Sequence, residues 1–107
     1  MGDRVIAALW EFEVAAEQAA EFERQYGPNG AWARLFRRAT GYVETTLLRD
    51  EVRPGRYVTI DWWESAEAYD RFRAVHAAAY EALDTACEAL TIAERRLGRF
   101  ASVTRAP

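Results

Sequence analysis

Three side chains that can carry protons lie in the second half of the chain, at Asp61, Tyr69 and His76. The imidazole of His76 would titrate near neutral pH and could act as a general base. Burial would raise the pKa of Asp61 and make its carboxylate a second candidate base. Structural roles compete with these: a hydrogen-bonded core histidine, an ion-paired or exposed aspartate, and a tyrosine packed in the core. The chemistry that these residue types favour is removal of a proton from a bound substrate.

Large aromatic side chains recur along the chain and could form the walls of a pocket for a flat aromatic molecule. At helical spacing the same residues would also suit a hydrophobic core, and the sequence leaves both interpretations open. The candidates are Trp10, Trp32, Phe36, Trp63, Tyr69, Phe72 and Tyr80.

The composition excludes several classes of chemistry. The chain contains no lysine, which excludes Schiff-base catalysis and the lysine of a phosphate-binding loop. Cys87 is the only cysteine, so no intrachain disulfide and no cysteine-based zinc site is expected. With His76 as the only histidine, the chain offers no ligand set for a metal ion.

Charge and hydropathy bear on which binding partners and which cellular compartment are expected for the protein. The net charge is −3 without an acidic or basic block, so neither nucleic acid nor an anionic membrane is expected as a partner. No signal peptide and no membrane-spanning run is predicted. We expect a cytoplasmic protein with a single domain over residues 1–107.

The periodicity of apolar residues predicts the elements that must position the candidate residues. Strands are expected over Val5–Val14, Tyr42–Asp50, Arg56–Trp63 and Thr91–Val103. Helices are expected over Ala16–Tyr26, around Trp32–Phe36, and from Ser65, as N-cap, to about Leu90.

Alternation along the third predicted strand separates a mixed face from an apolar face. The mixed face carries Tyr57, Thr59, Asp61 and Trp63, and the apolar face carries Val58, Ile60 and Trp62. We expect any ligand site on the mixed face, beside the helix that begins at Ser65.

The element order β–α–α–β–β–α–β predicts an α+β, ferredoxin-like fold with helices on one side of an antiparallel sheet. The uncovered face would then carry large apolar residues, among them Trp62 or Trp63. We therefore predict a homodimer in which the two sheets face each other across a two-fold axis.

Three short motifs, together with the element order and the chain length, resemble a known family. They are Trp63-Glu64-Ser65-Ala66-Glu67-Ala68-Tyr69, the Gly41-Tyr42 pair that opens the second strand, and Leu97-Gly98-Arg99-Phe100. From Val5 to Val103 the chain resembles the antibiotic biosynthesis monooxygenase superfamily of dimeric α+β barrels. The resemblance implies a ferredoxin-like β-α-β-β-α-β protomer that pairs into such a barrel.

Some members of that superfamily are cofactor-free monooxygenases that oxidise anthrones and related polycyclic phenols to quinones. The resemblance implies that Trp63 and Tyr69 match a Trp and a Tyr of their pocket, and that Thr59 stands where they carry Asn. A hydroxyl lacks the paired donors and acceptor of that amide. The predicted catalytic residues are Trp63, Tyr69 and His76, without a cofactor. The predicted substrate-binding residues are Thr59, Asp61, Trp10, Trp32, Phe36, Phe72 and Tyr80.

Two functions from different classes remain. The first is a cofactor-independent monooxygenase that uses O₂ to oxidise a small polycyclic aromatic or polyketide-like substrate, which itself supplies the electrons. The second is a non-catalytic ligand-binding or accessory dimer on the same scaffold, which the threonine at position 59 favours. An isomerase or cyclase of similar substrates is not separated from these by sequence. Haem degradation, found in other members, is not expected because the first strand lacks Asn and the long helix lacks Trp.

Overall fold

The computed structural model describes residues 4–104, and the two ends of the predicted domain, residues 1–3 and 105–107, lie outside that range. The strands are β1 (Ile6–Glu13), β2 (Tyr42–Arg49), β3 (Arg56–Trp63) and β4 (Ala93–Ala101). The helices are α1 (Ala19–Tyr26), α2 (Ala31–Phe36), α3 (Ala66–Val75) and α4 (Ala77–Cys87), with 3₁₀ turns at Ala16–Gln18 and Glu88–Leu90.

The four strands form one antiparallel sheet in the order β2-β3-β1-β4. β1 and β3 are central and carry the most buried strand residues, because the helices cover one face of the sheet. The predicted α+β, ferredoxin-like fold is confirmed.

β3 alternates strictly between half-buried and buried residues, as its sequence predicts. Trp63 lies on the covered face, where its ring meets those of Phe36 and Phe72 from the helices. The opposite face, which we call the open face, carries Val58, Ile60 and Trp62 at its centre. Of the two tryptophans considered for this face, Trp62 lies there and Trp63 lies in the core.

The core between sheet and helices is an aromatic cluster. Trp63, Phe22 and Phe72 are its largest fully buried side chains. Phe22 stacks on Tyr26 with ring centroids 4.2 Å apart. Each such burial stabilises the fold by about 1.5–3 kcal/mol, which holds α1 and α3 firmly against the strands.

The start of α3 is fixed by a cap and by a close approach to β2. Ser65 Oγ accepts a hydrogen bond of 3.1 Å from the backbone N–H of Ala68, which confirms the predicted N-cap. Gly41 has φ +98°, and a Cβ at that position would lie 2.5 Å from Cβ of Ala68. Only glycine fits there, because both the backbone conformation and the space exclude a side chain.

The prediction of one long helix from Ser65 to Leu90 is wrong. The helix breaks at His76, where φ is −107° and ψ is 26°. The apolar stripe continues through the break, so periodicity alone does not reveal it. The two parts have different packing partners, because α3 rests on β3 whereas α4 reaches α2 through Tyr80 and Trp32. Within residues 4–104, no helix combines the length and the apolar character needed to cross a membrane.

β2 contains a β-bulge that strict alternation does not predict. Tyr42 pairs with Trp63 and Glu44 pairs with Trp62, which leaves Val43 as an extra, exposed residue. Tyr42 therefore lies on the covered face with Thr45, not on the face opposite Thr45 as alternation predicts.

Candidate active site

A cavity of about 330 Å³ opens between the covered face of the sheet and helices α1 to α4. This volume is within the range of small-molecule sites in proteins. Its lining residues are Trp10, Phe12, Tyr26, Trp32, Phe36, Thr59, Asp61, Arg73, Tyr80, Asp84, Glu94 and Arg96.

The walls of the cavity are aromatic. Trp32 from α2 meets Tyr80 from α4 edge to face, with ring centroids 5.0 Å apart. Phe36, one turn after Trp32 on the same helix, continues the wall. On the sheet side Trp10 stands beside Thr59, its cross-strand partner. Rings held in this way favour a flat, apolar ligand.

Asp61 places a buried carboxyl group on the sheet side of the cavity. The residue is only 9% exposed, and removal from water raises the pKa of Asp61 to about 7. Thr45, the cross-strand partner of Asp61, opposes this shift by donating a hydrogen bond of 2.8 Å to Asp61 Oδ1. Near neutral pH the carboxyl group can therefore take up or release a proton.

A second hydroxyl group extends this contact. The hydroxyl oxygens of Tyr42 and Thr45 lie 2.7 Å apart. Because Thr45 gives its only hydroxyl proton to Asp61, Tyr42 must be the donor in this pair. Burial raises the pKa of Tyr42, so its phenol stays protonated at neutral pH. The bulge in β2 makes this arrangement possible, because it places Tyr42 on the covered face.

Four exposed, charged residues surround the opening of the cavity, namely Arg73, Asp84, Glu94 and Arg96. The guanidinium of Arg73 lies 4.0 Å from the ring centroid of Tyr80 and donates a hydrogen bond of 3.0 Å to the hydroxyl of Tyr69. Partial burial, followed by the nearby charges of Asp84 and Glu88, raises the pKa of Glu94. The opening thus carries both signs of charge.

The cavity brings together six of the seven residues predicted to bind a substrate: Trp10, Trp32, Phe36, Thr59, Asp61 and Tyr80. The seventh, Phe72, lies behind the wall, where its ring packs against those of Phe36 and Trp63.

The three residues predicted to be catalytic are not among the lining residues. Trp63 is completely buried in the core, in contact with Phe36 and Tyr42. Tyr69 is buried beside Trp63 and reaches the cavity only through its hydrogen bond from Arg73.

His76 lies at the break between α3 and α4 and is not among the residues that line this cavity. Its ring stacks on Phe72 with centroids 5.4 Å apart. It lines a separate pocket of about 210 Å³ together with Arg38 and Arg71. Within the described range, no group of His, Cys, Asp and Glu side chains is arranged to hold a metal ion.

The sequence analysis did not identify the lining residues Phe12 and Tyr26, the four charged residues of the opening, or Thr45, which donates a hydrogen bond to Asp61. Arg73 could have been found, because it follows Tyr69 by four residues on a predicted helix and must lie on the same helical face. Thr45 could not, since its pairing with Asp61 depends on a strand register that the sequence does not reveal.

The sequence matches one protein family. The family model described as antibiotic biosynthesis monooxygenase matches residues 5–82. That match includes β1 to β3, α1 to α3 and the first half of α4, and therefore most of the cavity. No curated protein matches the sequence.

Solved structures agree with this match. SnoaB, described as a cofactor-independent oxygenase from Streptomyces nogalater, aligns with a TM-score of 0.69 at 26% identity, over 97% of this chain and 98% of its own. An asparagine-to-alanine variant of SnoaB aligns with a TM-score of 0.75 at 29% identity and the same coverage.

A protein from Bordetella bronchiseptica, provisionally described as an antibiotic biosynthesis monooxygenase, shares the fold. It aligns with a TM-score of 0.75 at 23% identity, over 95% of this chain and 100% of its own. Because the family model spans most of the chain and the whole fold agrees, the protein belongs to the antibiotic biosynthesis monooxygenase family.

Proposed function

We propose that the protein is a cofactor-independent monooxygenase that uses O₂ to oxidise a small polycyclic aromatic or polyketide-like molecule. Membership of the family supports a monooxygenase-type function, and the similarity to SnoaB supports the cofactor-independent class. The observation that carries the proposal is the aromatic-walled cavity on the covered face of β3, with the buried carboxyl group of Asp61 in its lining.

The reaction needs an electron-rich substrate. Oxidation of a methylene group to a carbonyl group releases four electrons, and one O₂ takes them up. One oxygen atom becomes the carbonyl oxygen and the other leaves as water, so no further reductant is needed. An anthrone, whose methylene is activated by a carbonyl and two aromatic rings, meets this requirement.

The cavity could hold the substrate of such a reaction and shield it from water. The rings of Trp32, Phe36 and Tyr80 would hold a flat substrate and exclude water from it. In this proposal Trp63 and Tyr69 do not contact the substrate. Trp63 packs against Phe36 of the cavity wall, and Tyr69 accepts the hydrogen bond that holds Arg73 at the opening. Both are therefore positioning residues here.

A homodimer is part of the proposal. The open face exposes Leu48 and Phe100, which are 49% and 53% exposed, beside the half-buried Ile60 and Trp62. An apolar surface of this kind marks an interface. A second copy of the chain, with its own open face turned toward this one, would cover it and form a dimeric α+β barrel.

Anthrone provides the test. We expect the purified protein, treated with a chelator and free of flavin, to consume one O₂ for each anthraquinone formed, faster than buffer alone. Removing part of the aromatic wall with Tyr80→Ala should lower this rate, whereas Val52→Arg on the exposed hairpin should not. A rate no faster than that of buffer, across a panel of anthrones and naphthols, would refute the proposal.

One observation favours a non-catalytic, ligand-binding function instead. None of the residues predicted to be catalytic, Trp63, Tyr69 and His76, lines the cavity. The family resemblance also matches Thr59 to an asparagine of the cofactor-free monooxygenases. A binding protein would be stabilised against heat by anthrone without oxygen consumption. Measuring thermal shift and oxygen uptake on the same samples separates the two functions.

A further inference from the structure

We propose that the carboxylate of Asp61 is the base that accepts a proton from the bound substrate, and that Thr45 and Tyr42 are its positioning residues. The assignment rests on the proposed function, from which it takes the substrate class and the oxidant.

The geometry singles out this carboxylate. Asp61 is the only acidic residue that is both buried and in contact with the cavity within residues 4–104. Its Oδ1 accepts the hydrogen bond from Thr45, and within residues 4–104 Asp61 has no donor to Oδ2 and no ion pair. The second oxygen is therefore available to a substrate.

The surroundings of Asp61 keep it reactive. No arginine forms an ion pair with it in the described range, so no fixed positive charge lowers its basicity. Burial among aromatic rings raises the pKa of Asp61 to about 7, where a base is both deprotonated and strong enough to act. The titratable and charged groups that face it across the cavity or from β2 are Tyr42, Tyr26, Arg73, Tyr80, Asp84, Glu94 and Arg96.

Each proton that leaves the substrate carbon passes through Asp61. Asp61 takes the first proton from the activated methylene, and the electron pair stays on carbon. That carbon bonds to O₂ and forms a peroxide, which takes the proton back from Asp61. Loss of the second methylene proton to Asp61, with cleavage of the O–O bond, forms the carbonyl and releases hydroxide. The hydroxide takes up that proton and leaves as water.

Thr45 and Tyr42 fix the carboxylate for this role. The hydroxyl of Tyr42 donates to Thr45, and Thr45 donates to Asp61, so both dipoles point toward the carboxylate. This orientation stabilises the charged form of Asp61. The hydrogen bond to Oδ1 also fixes the carboxylate, so that the position of Oδ2 is fixed as well. Without Thr45, Asp61 would become harder to ionise.

The direct test replaces the base without changing its shape. Asp61→Asn should lower the rate of anthrone oxidation by about a hundredfold or more, the usual contribution of a general base. Anthrone binding, measured without O₂ by quenching of tryptophan fluorescence, should persist. Asp70→Asn, which alters an exposed carboxylate on α3, is the matched control. Oxidation by Asp61→Asn within about threefold of wild type would overturn the assignment.

A second measurement separates the base from the oxygen chemistry. Without O₂ and in D₂O, the wild-type protein should accelerate deuterium uptake at the anthrone methylene, and Asp61→Asn should not. Exchange that depends on Asp61 without aerobic oxidation would refute the proposed function but support this base. No acceleration by wild-type protein would overturn the assignment.

Thr45→Val tests whether Thr45 acts through the pKa of Asp61 or only through the structure of the site. Loss of the hydrogen bond raises the pKa of Asp61, so the pH at which exchange reaches half its maximum should move upward. A structural role alone would lower the exchange rate and leave that midpoint unchanged. An unmoved midpoint would count against Asp61 as the base.

Discussion

Thr45 Oγ1 donates a hydrogen bond of 2.8 Å to Asp61 Oδ1 directly across the β2–β3 pair. Within residues 4–104 it is the only hydrogen bond to that carboxylate. One neutral donor cannot offset the loss of water around a buried charge. The ionised form of Asp61 therefore lowers the free energy of unfolding. For the same reason its carboxylate binds a proton more strongly than an ordinary aspartate does.

The stability of the protein should depend on pH through Asp61. Its folded pKa of about 7 lies above the ordinary value of 3.8, so the folded state holds this proton more tightly than the unfolded state. The resulting stability is complete below the unfolded pKa and is lost as the pH rises through the folded pKa, by up to about 1.4 kcal/mol per pH unit.

Asp61→Asn should remove this dependence. We expect the variant to unfold at a higher urea concentration than wild type at about pH 8, and to lose this advantage toward about pH 5. The matched control Asp70→Asn should follow wild type. Parallel pH profiles of Asp61→Asn and wild type would show that Asp61 has an ordinary pKa.

Thr59→Asn should increase turnover of anthrone. Thr59 is 4% exposed and lines the cavity beside Trp10, and the family resemblance matches it to an Asn of cofactor-free monooxygenases. The amide adds a donor and an acceptor, and one additional hydrogen bond contributes about 0.5–1.5 kcal/mol. We expect kcat/KM to rise about two- to tenfold. Thr59→Val, which removes the hydroxyl, should not raise it.

Substitution of Trp63 should separate its core role from a catalytic one. Its side chain is fully buried, so Trp63→Ala should lower the free energy of unfolding by about 3–5 kcal/mol. Trp63→Phe should cost much less, because the indole Nε1 has no hydrogen-bond partner within the described range. A large loss of kcat in a stable Trp63→Phe protein would show that Trp63 acts on the substrate, as the family resemblance implies.

Ile60→Arg should disrupt the homodimer. Ile60 lies at the centre of the open face, between Leu9 and Thr46 of the neighbouring strands. A buried, unpaired guanidinium would oppose association by several kcal/mol. Light scattering after gel filtration should show a dimer for wild type and a monomer for the variant. Val75→Arg, exposed on the helix side, is the control. A wild-type monomer would contradict the proposed dimer.

Much of the fold could be predicted from the sequence, because strand alternation and helix caps are local sequence patterns. Alternation identified the covered face of β3, and Ser65 identified the start of α3. The break at His76 and the bulge at Val43 did not follow, because each depends on contacts between distant segments. The same limit applied to the site: aromatic residues were predicted by type, whereas the Thr45–Asp61 contact depends on register.

The bulge in β2 also bears on how chain length can vary among relatives. Val43 is accommodated outside the ladder, and pairing from Glu44 onward proceeds as if it were absent. A relative that lacks this one residue would still place Tyr42 opposite Trp63, and Thr45 opposite Asp61. A sequence alignment that places the gap elsewhere in β2 would therefore match the wrong residues of the two proteins. Superposition of the structures should be used to decide which residues correspond.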